Sequence, residues 1–127
     1  MIKLVFALRR LPHLTREAFQ RYWLEKHGPL ARRNLPILGA KRYVQTHTLD
    51  TPLNQVVRES RGSQQPYDGL VEVWWESLEA LESAFATPEG MKASEELLED
   101  EKRFIDLGRS AVWFAEEHTL LGGQGES

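Results

Sequence analysis

The sequence contains no cysteine and no long apolar run. Without cysteine there can be no disulfide bond, no thiolate nucleophile and no cysteine-ligated metal. No segment approaches the roughly 18 apolar residues that span a bilayer, and the apolar run before Arg9 is too short for a signal peptide. We therefore expect a cytoplasmic protein with no membrane partner.

The sequence also has no excess of basic residues. It contains 16 Lys and Arg residues and 19 Asp and Glu residues, which gives a net charge of −3. This balance lacks the basic footprint of a nucleic-acid binder. The chain also lacks a phosphate loop, a Gly-x-Gly-x-x-Gly motif, a serine elbow and a helical pair of metal-binding histidines. These absences argue against nucleotide-dependent, acyl-enzyme and metal chemistry and predict no cofactor. A small molecule or another protein is the expected partner.

The 127 residues suit a single domain, which we place at 1–121, followed by a flexible Gly-rich tail at 122–127. Strands are predicted from runs of β-branched and aromatic residues, and helices from apolar residues at helical spacing with Thr15 and Ser77 as N-caps. The polar segment 50–69 is predicted to be a long loop with one helical turn at 53–59, and we hypothesise that it is a lid. The strands are expected at 2–10, 39–49, 70–77 and 110–121, and the helices at 15–27, 28–35, 77–87 and 88–108.

The order strand, helix, strand, strand, helix, strand predicts an α+β fold of the ferredoxin-like βαββαβ kind. Its four-stranded antiparallel sheet would carry helices on one face. Leu4 and Phe6 alternate with Val5 and Ala7, however, so apolar side chains are expected on both faces. We therefore predict that a second copy covers the other face, giving a homodimer in which two sheets form a barrel.

Three stretches carry a family resemblance: Phe-x-x-Tyr-Trp-x-x-x-His-Gly-Pro (19–29), Tyr-Asp-Gly (67–69) and Asp-Glu-x-x-Phe-Ile-Asp (100–106). With the strands between them, they resemble the EthD family of the dimeric α+β barrel superfamily over nearly the whole chain. That resemblance implies the dimeric barrel. The family is similar to proteins of small-compound degradation and to polyketide dehydratases, so fold alone does not select a reaction.

His27 is the first candidate for chemistry. Pro29 disfavours a helical conformation at Gly28, so we predict a bend there, with His27 at a helix end. A histidine in that position can interact with the last carbonyls of the helix. The resemblance implies a second role, because His27 matches the histidine of the His-Gly-Pro motif: a general base or acid facing a pocket between helix and sheet. Both interpretations remain open.

His47 is the second candidate, on the second strand with Tyr43 and Gln45 on the same face. That face either lines a pocket or is exposed at the sheet edge. Two imidazoles at one cavity could divide acid and base roles near neutral pH. The resemblance adds Asp106, which could orient an imidazole, and Asp68, which also fits an ordinary turn. Arg21, Arg32 and Arg33 could attract an acidic substrate group or form a solvated helix face.

The sequence is rich in aromatic residues, some of which are expected to line a pocket for a flat or apolar ligand. Together with these candidates, the resemblance implies three alternative functions: a cofactor-free lyase, dehydratase or isomerase acting on a small hydrophobic or aromatic carbonyl compound, a non-catalytic binding protein of a catabolic system, and a haem or oxygen-handling protein. The substrate-binding candidates are Tyr22, Trp23, Tyr43, Trp74, Phe104 and Trp113.

Overall fold

Four antiparallel strands form one sheet in the computed structural model, which describes residues 1–123. All strand pairings in this sheet are antiparallel. The predicted α+β fold with a four-stranded antiparallel sheet is thus confirmed. The strands are β1 (Ile2–Leu8), β2 (Arg42–His47), β3 (Gly69–Trp75) and β4 (Ala111–Ala115), and they lie across the sheet in the order β2-β3-β1-β4.

Each strand is shorter than the apolar pattern suggests. β1 ends at Leu8 because the backbone N–H of Arg10 donates to the side chain of Asp68 (2.8 Å), and Arg10 then forms an isolated bridge with Ile105. β4 ends at Ala115, where four polar residues begin, although the strand was predicted to continue to position 121. The predicted flexible tail began at Gly122, and its last part, Gln124–Ser127, lies outside the described residues.

Within residues 1–123, five α-helices accompany the sheet, and both predicted N-caps are confirmed. The hydroxyl of Thr15 accepts a hydrogen bond from the Ala18 N–H (3.0 Å), and that of Ser77 accepts one from the Ala80 N–H (3.1 Å). The helices are α1 (Arg16–Tyr22), α2 (Gly28–Asn34), α3 (Leu53–Arg61), α4 (Leu78–Phe85) and α5 (Pro88–Glu101), with a further 3₁₀ turn at Leu107–Arg109.

The predicted second helix is present as α2, but the chain does not leave the helical conformation at Gly28 as expected. α1 and α2 are joined by a π-helical turn, Trp23–His27, so the chain stays helical from Arg16 to Asn34. Gly28 has no Cβ to clash with the proline ring and adopts helical angles (φ −54°, ψ −50°). In an α-helical register the Pro29 ring would meet the carbonyl of Glu25, and the wider π turn relieves that clash. His27 therefore lies inside a long helix and not at its end.

Two other helical boundaries differ from prediction. The segment 50–69 contains a nine-residue helix, α3, which ends at Gly62 in the left-handed conformation (φ 62°). The acidic helix predicted to reach position 108 ends at Glu101. Beyond it the backbone turns, since the Phe104 and Ile105 N–H groups both bond back to the Glu101 carbonyl. This turn directs Phe104 and Ile105 into the core, where both are buried.

The helices cover one face of the sheet. Phe19 and Trp23 are fully buried there against Leu8, Val71 and Val73. In the antiparallel register, Val73 of β3 lies between Leu4 of β1 and Tyr43 of β2. The three side chains therefore point to the same face of the sheet. The core lies between this face and the helix layer.

The opposite face, which we call the open face, carries no helix from the part of the chain that the structure describes. Val5 and Ala7 are buried at its centre, whereas Trp113 is 48% exposed. Lys3 forms an ion pair with Glu72, and the indole N–H of Trp74 donates to Glu117 (2.9 Å). The open face thus combines apolar side chains with charged groups that already have partners.

Candidate acid–base site

A cavity of about 390 Å³ lies between the helix layer and the sheet. Its wall is mainly apolar, with Leu and Val side chains from the strands and helices. Most of its polar side chains come from three elements: His27 from the long helix, Tyr43 from β2, and Ser94 and Glu101 from α5. An apolar cavity with a few convergent polar groups is the usual form of a small-molecule site. The remaining residues of its wall are Leu4, Phe6, Leu8, Trp23, Ala31, Leu35, Leu38, Val71, Val73, Trp75, Phe85, Leu97, Leu98, Ile105, Leu107 and Val112.

The π turn positions His27, which is only 5% exposed. Its ring nitrogen Nδ1 lies 2.8 Å from Oδ2 of Asp100, and the Tyr22 hydroxyl donates to the other oxygen of Asp100 at 2.6 Å. Nε2 of His27 makes no hydrogen bond to any described residue. Every fully buried side-chain nitrogen or oxygen in residues 1–123 has a hydrogen-bond partner. Because Nε2 has no such partner, it is not fully buried, and it is accessible from the cavity that His27 lines.

The surroundings of His27 favour a neutral ring with a defined tautomer. Burial lowers the pKa of His27 below its usual value, while the hydrogen bond and negative charge of Asp100 oppose that shift. A neutral imidazole whose Nδ1 faces a carboxylate carries its proton on Nδ1. Nε2 then holds the lone pair, and this is the arrangement of a general base.

Glu101 is the second titratable group of the cavity. Burial, together with the neighbouring negative charge of Asp100, raises the pKa of Glu101 to about 7. Its carboxyl group forms no hydrogen bond or ion pair with the described residues. Asp100 and Glu101 also end α5, where the helix dipole disfavours negative charge. Near neutral pH, Glu101 can therefore either donate or accept a proton.

Asp106 does not have the partner that the sequence suggested. Its carboxylate lies 3.6 Å from a guanidinium nitrogen of Arg109, and its backbone N–H bonds to the carbonyl of Arg9. The group that contacts the imidazole of His27 is Asp100, six residues earlier. The difference follows from the end of α5 at Glu101, because the chain turns before Asp106 can continue along the helix.

His47 faces the helices, yet it does not line the cavity. Its ring stacks on Trp23, with 4.3 Å between ring centroids and 7° between planes. Nε2 of His47 lies 2.7 Å from the amide oxygen of Gln45, whose amide nitrogen bonds to Tyr43 and to the Trp23 carbonyl. Burial lowers the pKa of His47. His47 is therefore part of a row of hydrogen-bonded polar side chains along β2, and its ring lies beneath the indole of Trp23.

The predicted substrate-binding aromatics separate into three groups. Trp23 and Tyr43 line the cavity. Tyr22 and Phe104 lie outside the cavity wall. The Tyr22 hydroxyl donates to Asp100, and the ring centroids of Phe104 and His27 are 5.0 Å apart. Trp74 and Trp113 belong to the open face by strand register and do not reach the cavity, because alternate residues of a strand point to opposite sides.

The sequence analysis missed Asp100 and Glu101, although a signal for Glu101 was present. Ala93, Leu97 and Glu101 follow at four-residue spacing, and the first two are buried. A carboxylate on the apolar stripe of a helix is unusual, because an unpaired charge is costly to bury. Asp100 gives no such signal, since its partners Tyr22 and His27 are more than 70 residues away.

Four expectations remain, on the lid, the arginines, a membrane span and metal binding. No residue of 50–69 lines the cavity, so the described structure gives the lid hypothesis no support. Arg21, Arg32 and Arg33 are exposed and also lie outside the cavity wall. Within residues 1–123, no helix has the length and apolar character needed to cross a membrane, and no group of three or more metal-ligating side chains occurs.

Comparison with known proteins gives a family match and a set of similar folds. The EthD domain model matches residues 11–108. An ethyl tert-butyl ether d (EthD) family protein from Bacillus halodurans is 22% identical, with 93% of this chain and 99% of that chain covered and a TM-score of 0.59. No curated protein matched the sequence.

Two further solved structures are similar in fold. An EthD-like protein from Ralstonia eutropha is 14% identical, with 91% of this chain and 90% of that chain covered and a TM-score of 0.58. A dimeric ferredoxin-like protein of unknown function from Thermobifida fusca is 12% identical, with 90% and 88% covered and a TM-score of 0.55. At these identities the similarity concerns the fold alone.

Proposed function

The chain belongs to the EthD domain family, and from that premise we propose that it is a cofactor-independent lyase, dehydratase or isomerase acting on a small hydrophobic or aromatic carbonyl compound. One observation carries the proposal. His27 and Glu101 line the same apolar cavity, and burial moves both of their pKa values in the direction that favours the neutral form. A neutral base and a carboxylic acid are what proton transfer at a carbonyl compound requires.

In the proposed reaction, Nε2 of His27 removes a proton from the carbon next to the carbonyl group. The electron pair of that C–H bond forms a carbon–carbon double bond, and Glu101 donates its proton to the carbonyl oxygen to give the enol. The imidazolium of His27 then returns its proton to another carbon, and the enol hydroxyl returns its proton to Glu101 as the carbonyl reforms, which completes an isomerisation. In a dehydration, Glu101 instead protonates a leaving hydroxyl group, which departs as water. Asp100 stabilises the imidazolium that forms, and it holds the ring in one orientation.

The size and polarity of the cavity support the substrate class. A volume of about 390 Å³ is near the lower end of ordinary small-molecule sites. Arginine and lysine do not occur in its wall, so a substrate bearing a carboxylate or phosphate would lose hydration without gaining a charged partner. A neutral, largely apolar carbonyl compound avoids that cost.

The first test is hydrogen exchange at carbon, which detects proton removal even when no net product forms. The protein is incubated in D₂O with a panel of enolisable aromatic and aliphatic ketones, and deuterium incorporation next to the carbonyl is followed by NMR. We expect exchange above the buffer rate, reduced about 100-fold or more in His27→Gln and in Glu101→Gln. His47→Gln is the control, since His47 does not line the cavity, and it should keep most of the activity.

A second measurement separates catalysis from binding alone. Chemical-shift changes of residues in the cavity wall report ligand binding independently of turnover. If ketones bind there, yet no exchange exceeds that of buffer for any member of the panel, the protein is a binding module and the proposed reaction is wrong.

We also propose that the protein is a homodimer that pairs through the open face. The apolar centre around Val5 and Ala7 and the half-exposed Trp113 support this, together with the dimeric state of the Thermobifida fusca protein of similar fold. Sedimentation analysis should give a dimer, and Trp113→Arg should shift it toward monomer. A monomer at all concentrations up to about 100 μM would contradict the proposed pairing.

A further inference from the structure

A second recess lies at the end of β1, separate from the acid–base cavity. Four arginines line it, Arg9, Arg10, Arg16 and Arg109, and we call it the arginine cleft. Its volume is about 310 Å³, and it shares no wall residue with the cavity that holds His27. In a chain with a net charge of −3, such a grouping of guanidinium groups needs a physical account.

Asp68 neutralises only part of this charge. It lies in the wall and is buried, and it accepts hydrogen bonds from the Arg10 backbone and guanidinium and from Nε of Arg16 (2.9 Å). This network explains why Arg10 and Arg16 are there, since two guanidinium groups anchor the end of β1 and the start of α1 to one carboxylate.

Arg9 has no carboxylate partner among the described residues. Its guanidinium donates to the backbone carbonyls of Pro66 (3.0 Å) and Gln65 (3.5 Å) and stacks on the ring of Tyr67 at 4.1 Å. These contacts use two of its five N–H donors and fix the plane of the group. Arg9 is thus held in place with donors still free, which reduces the entropy that an anion must overcome to bind it.

Arg109 extends the positive surface on the other side of Arg9. Its only ionic partner in the described chain is Asp106, at 3.6 Å, and its side chain is 62% exposed. A neighbouring recess continues from Arg9 and Arg109 to Arg58, for which no ion pair occurs among the described residues. Arg9, Arg58 and Arg109 therefore line one continuous recess, and among the described residues only Arg109 of these three has a carboxylate partner.

We propose that the arginine cleft binds a small polyanion, a molecule with at least two phosphate or carboxylate groups. Guanidinium groups match both of these anions with paired hydrogen bonds, and several positive groups at one recess favour multiple charge over a single anion. The site is distinct from the acid–base cavity, so its occupation does not depend on the reaction proposed above.

The test uses inorganic pyrophosphate and citrate as probes, titrated into the full-length protein at constant ionic strength and followed by calorimetry and by NMR. We expect saturable binding of one equivalent per chain, with shifts at Arg9, Tyr67 and Arg109. The two arms separate the sources of the charge: preference for pyrophosphate assigns a phosphorylated ligand, and preference for citrate a polycarboxylate.

Arg109→Gln and Arg9→Gln should each weaken binding about 10-fold or more, and the double variant should abolish it. Arg21→Gln is the matched control, since Arg21 is exposed on α1 and outside the cleft, and it should change affinity less than 2-fold. Arg109 is mostly exposed, so its variant remains informative even if Arg9→Gln fails to fold. Absence of saturable binding at millimolar probe, or an equal loss in Arg21→Gln, would overturn the proposal.

Discussion

The two histidines on the helix side of the sheet, His27 in the helix layer and His47 on β2, have different surroundings. His27 contacts a carboxylate through Nδ1 and lines a cavity with its other nitrogen free of hydrogen bonds. His47 contacts an amide through Nε2 and is stacked flat on Trp23, outside the cavity. Burial lowers the pKa of both. A shifted pKa alone therefore does not separate them, whereas the charged partner and access to the cavity do.

The comparison also indicates which parts of the site are structural. Gln45 accepts from His47 and donates to the Trp23 carbonyl, which belongs to the π turn that positions His27. His47 thus supports the element on which His27 lies. An amide cannot stabilise an imidazolium as a carboxylate does, so His47 is suited to hold the wall and His27 to exchange protons.

The strongest way to break this difference is to remove Trp23, whose indole stacks on His47 and which belongs to the same π turn as His27. Trp23 is fully buried, and Trp23→Ala should reduce the free energy of unfolding by about 3–5 kcal/mol. Chemical denaturation measures the loss. Trp23→Phe keeps an aromatic ring against His47 and should cost clearly less. A loss below about 1 kcal/mol in Trp23→Ala would contradict the close packing of this ring.

The next prediction concerns Glu101, whose replacement should stabilise the folded protein, whereas most core substitutions destabilise it. The pKa of Glu101 is raised from 4.5 to about 7, so the folded chain holds this proton more tightly than the unfolded chain. The stability of the wild type should therefore fall as pH rises from about 4.5 to 7, and a glutamine does not ionise. Glu101→Gln should equal the wild type near pH 4 and exceed it by up to about 3 kcal/mol at pH 9.

Thermal and urea unfolding across pH 4–9 measure this difference. Glu95→Gln is the matched control, because Glu95 is exposed on the same helix and its substitution should change stability little. If the difference between Glu101→Gln and the wild type did not change with pH, the carboxyl group of Glu101 would have an ordinary pKa and could not serve as the acid.

A smaller effect is expected beneath Trp23, where Gly69 permits the close approach of the ring. A Cβ at this position would lie 2.6 Å from Cη2 of Trp23 and 3.0 Å from the Thr46 carbonyl oxygen. Gly69→Ala should therefore cost about 1–3 kcal/mol and displace the indole from His47. Gly108→Ala, whose Cβ would meet nothing closer than 3.9 Å, should stay within about 0.5 kcal/mol. Equal stability of the two variants would exclude this steric role of Gly69.

The sequence was sufficient for the fold, but not for the contacts of His27. Alternating strands and capped helices depend on neighbouring residues, so Thr15 and Ser77 could be identified directly. The contact of His27 with Asp100 joins two helices 73 residues apart and depends on where α5 ends. Asp106 was the wrong carboxylate for the same reason, since a local pattern does not give the turn after Glu101.

The finest test of the difference between the two histidines replaces the carboxylate and leaves its shape. In Asp100→Asn the new amide oxygen can still accept a hydrogen bond from Nδ1 of His27, but the negative charge that opposes the effect of burial is gone. We expect the pKa of His27 to fall further and that of Glu101 to fall toward its ordinary value, since Asp100 raises both. The pKa of His47 should not move, because burial alone shifts it.

NMR titration of the imidazole and carboxyl resonances measures all three groups in one sample. Asp106→Asn is the control, since it makes the same chemical change beside Arg109. Equal shifts of His27 and His47 in Asp100→Asn would show a general loss of packing and would remove the distinction between the two rings.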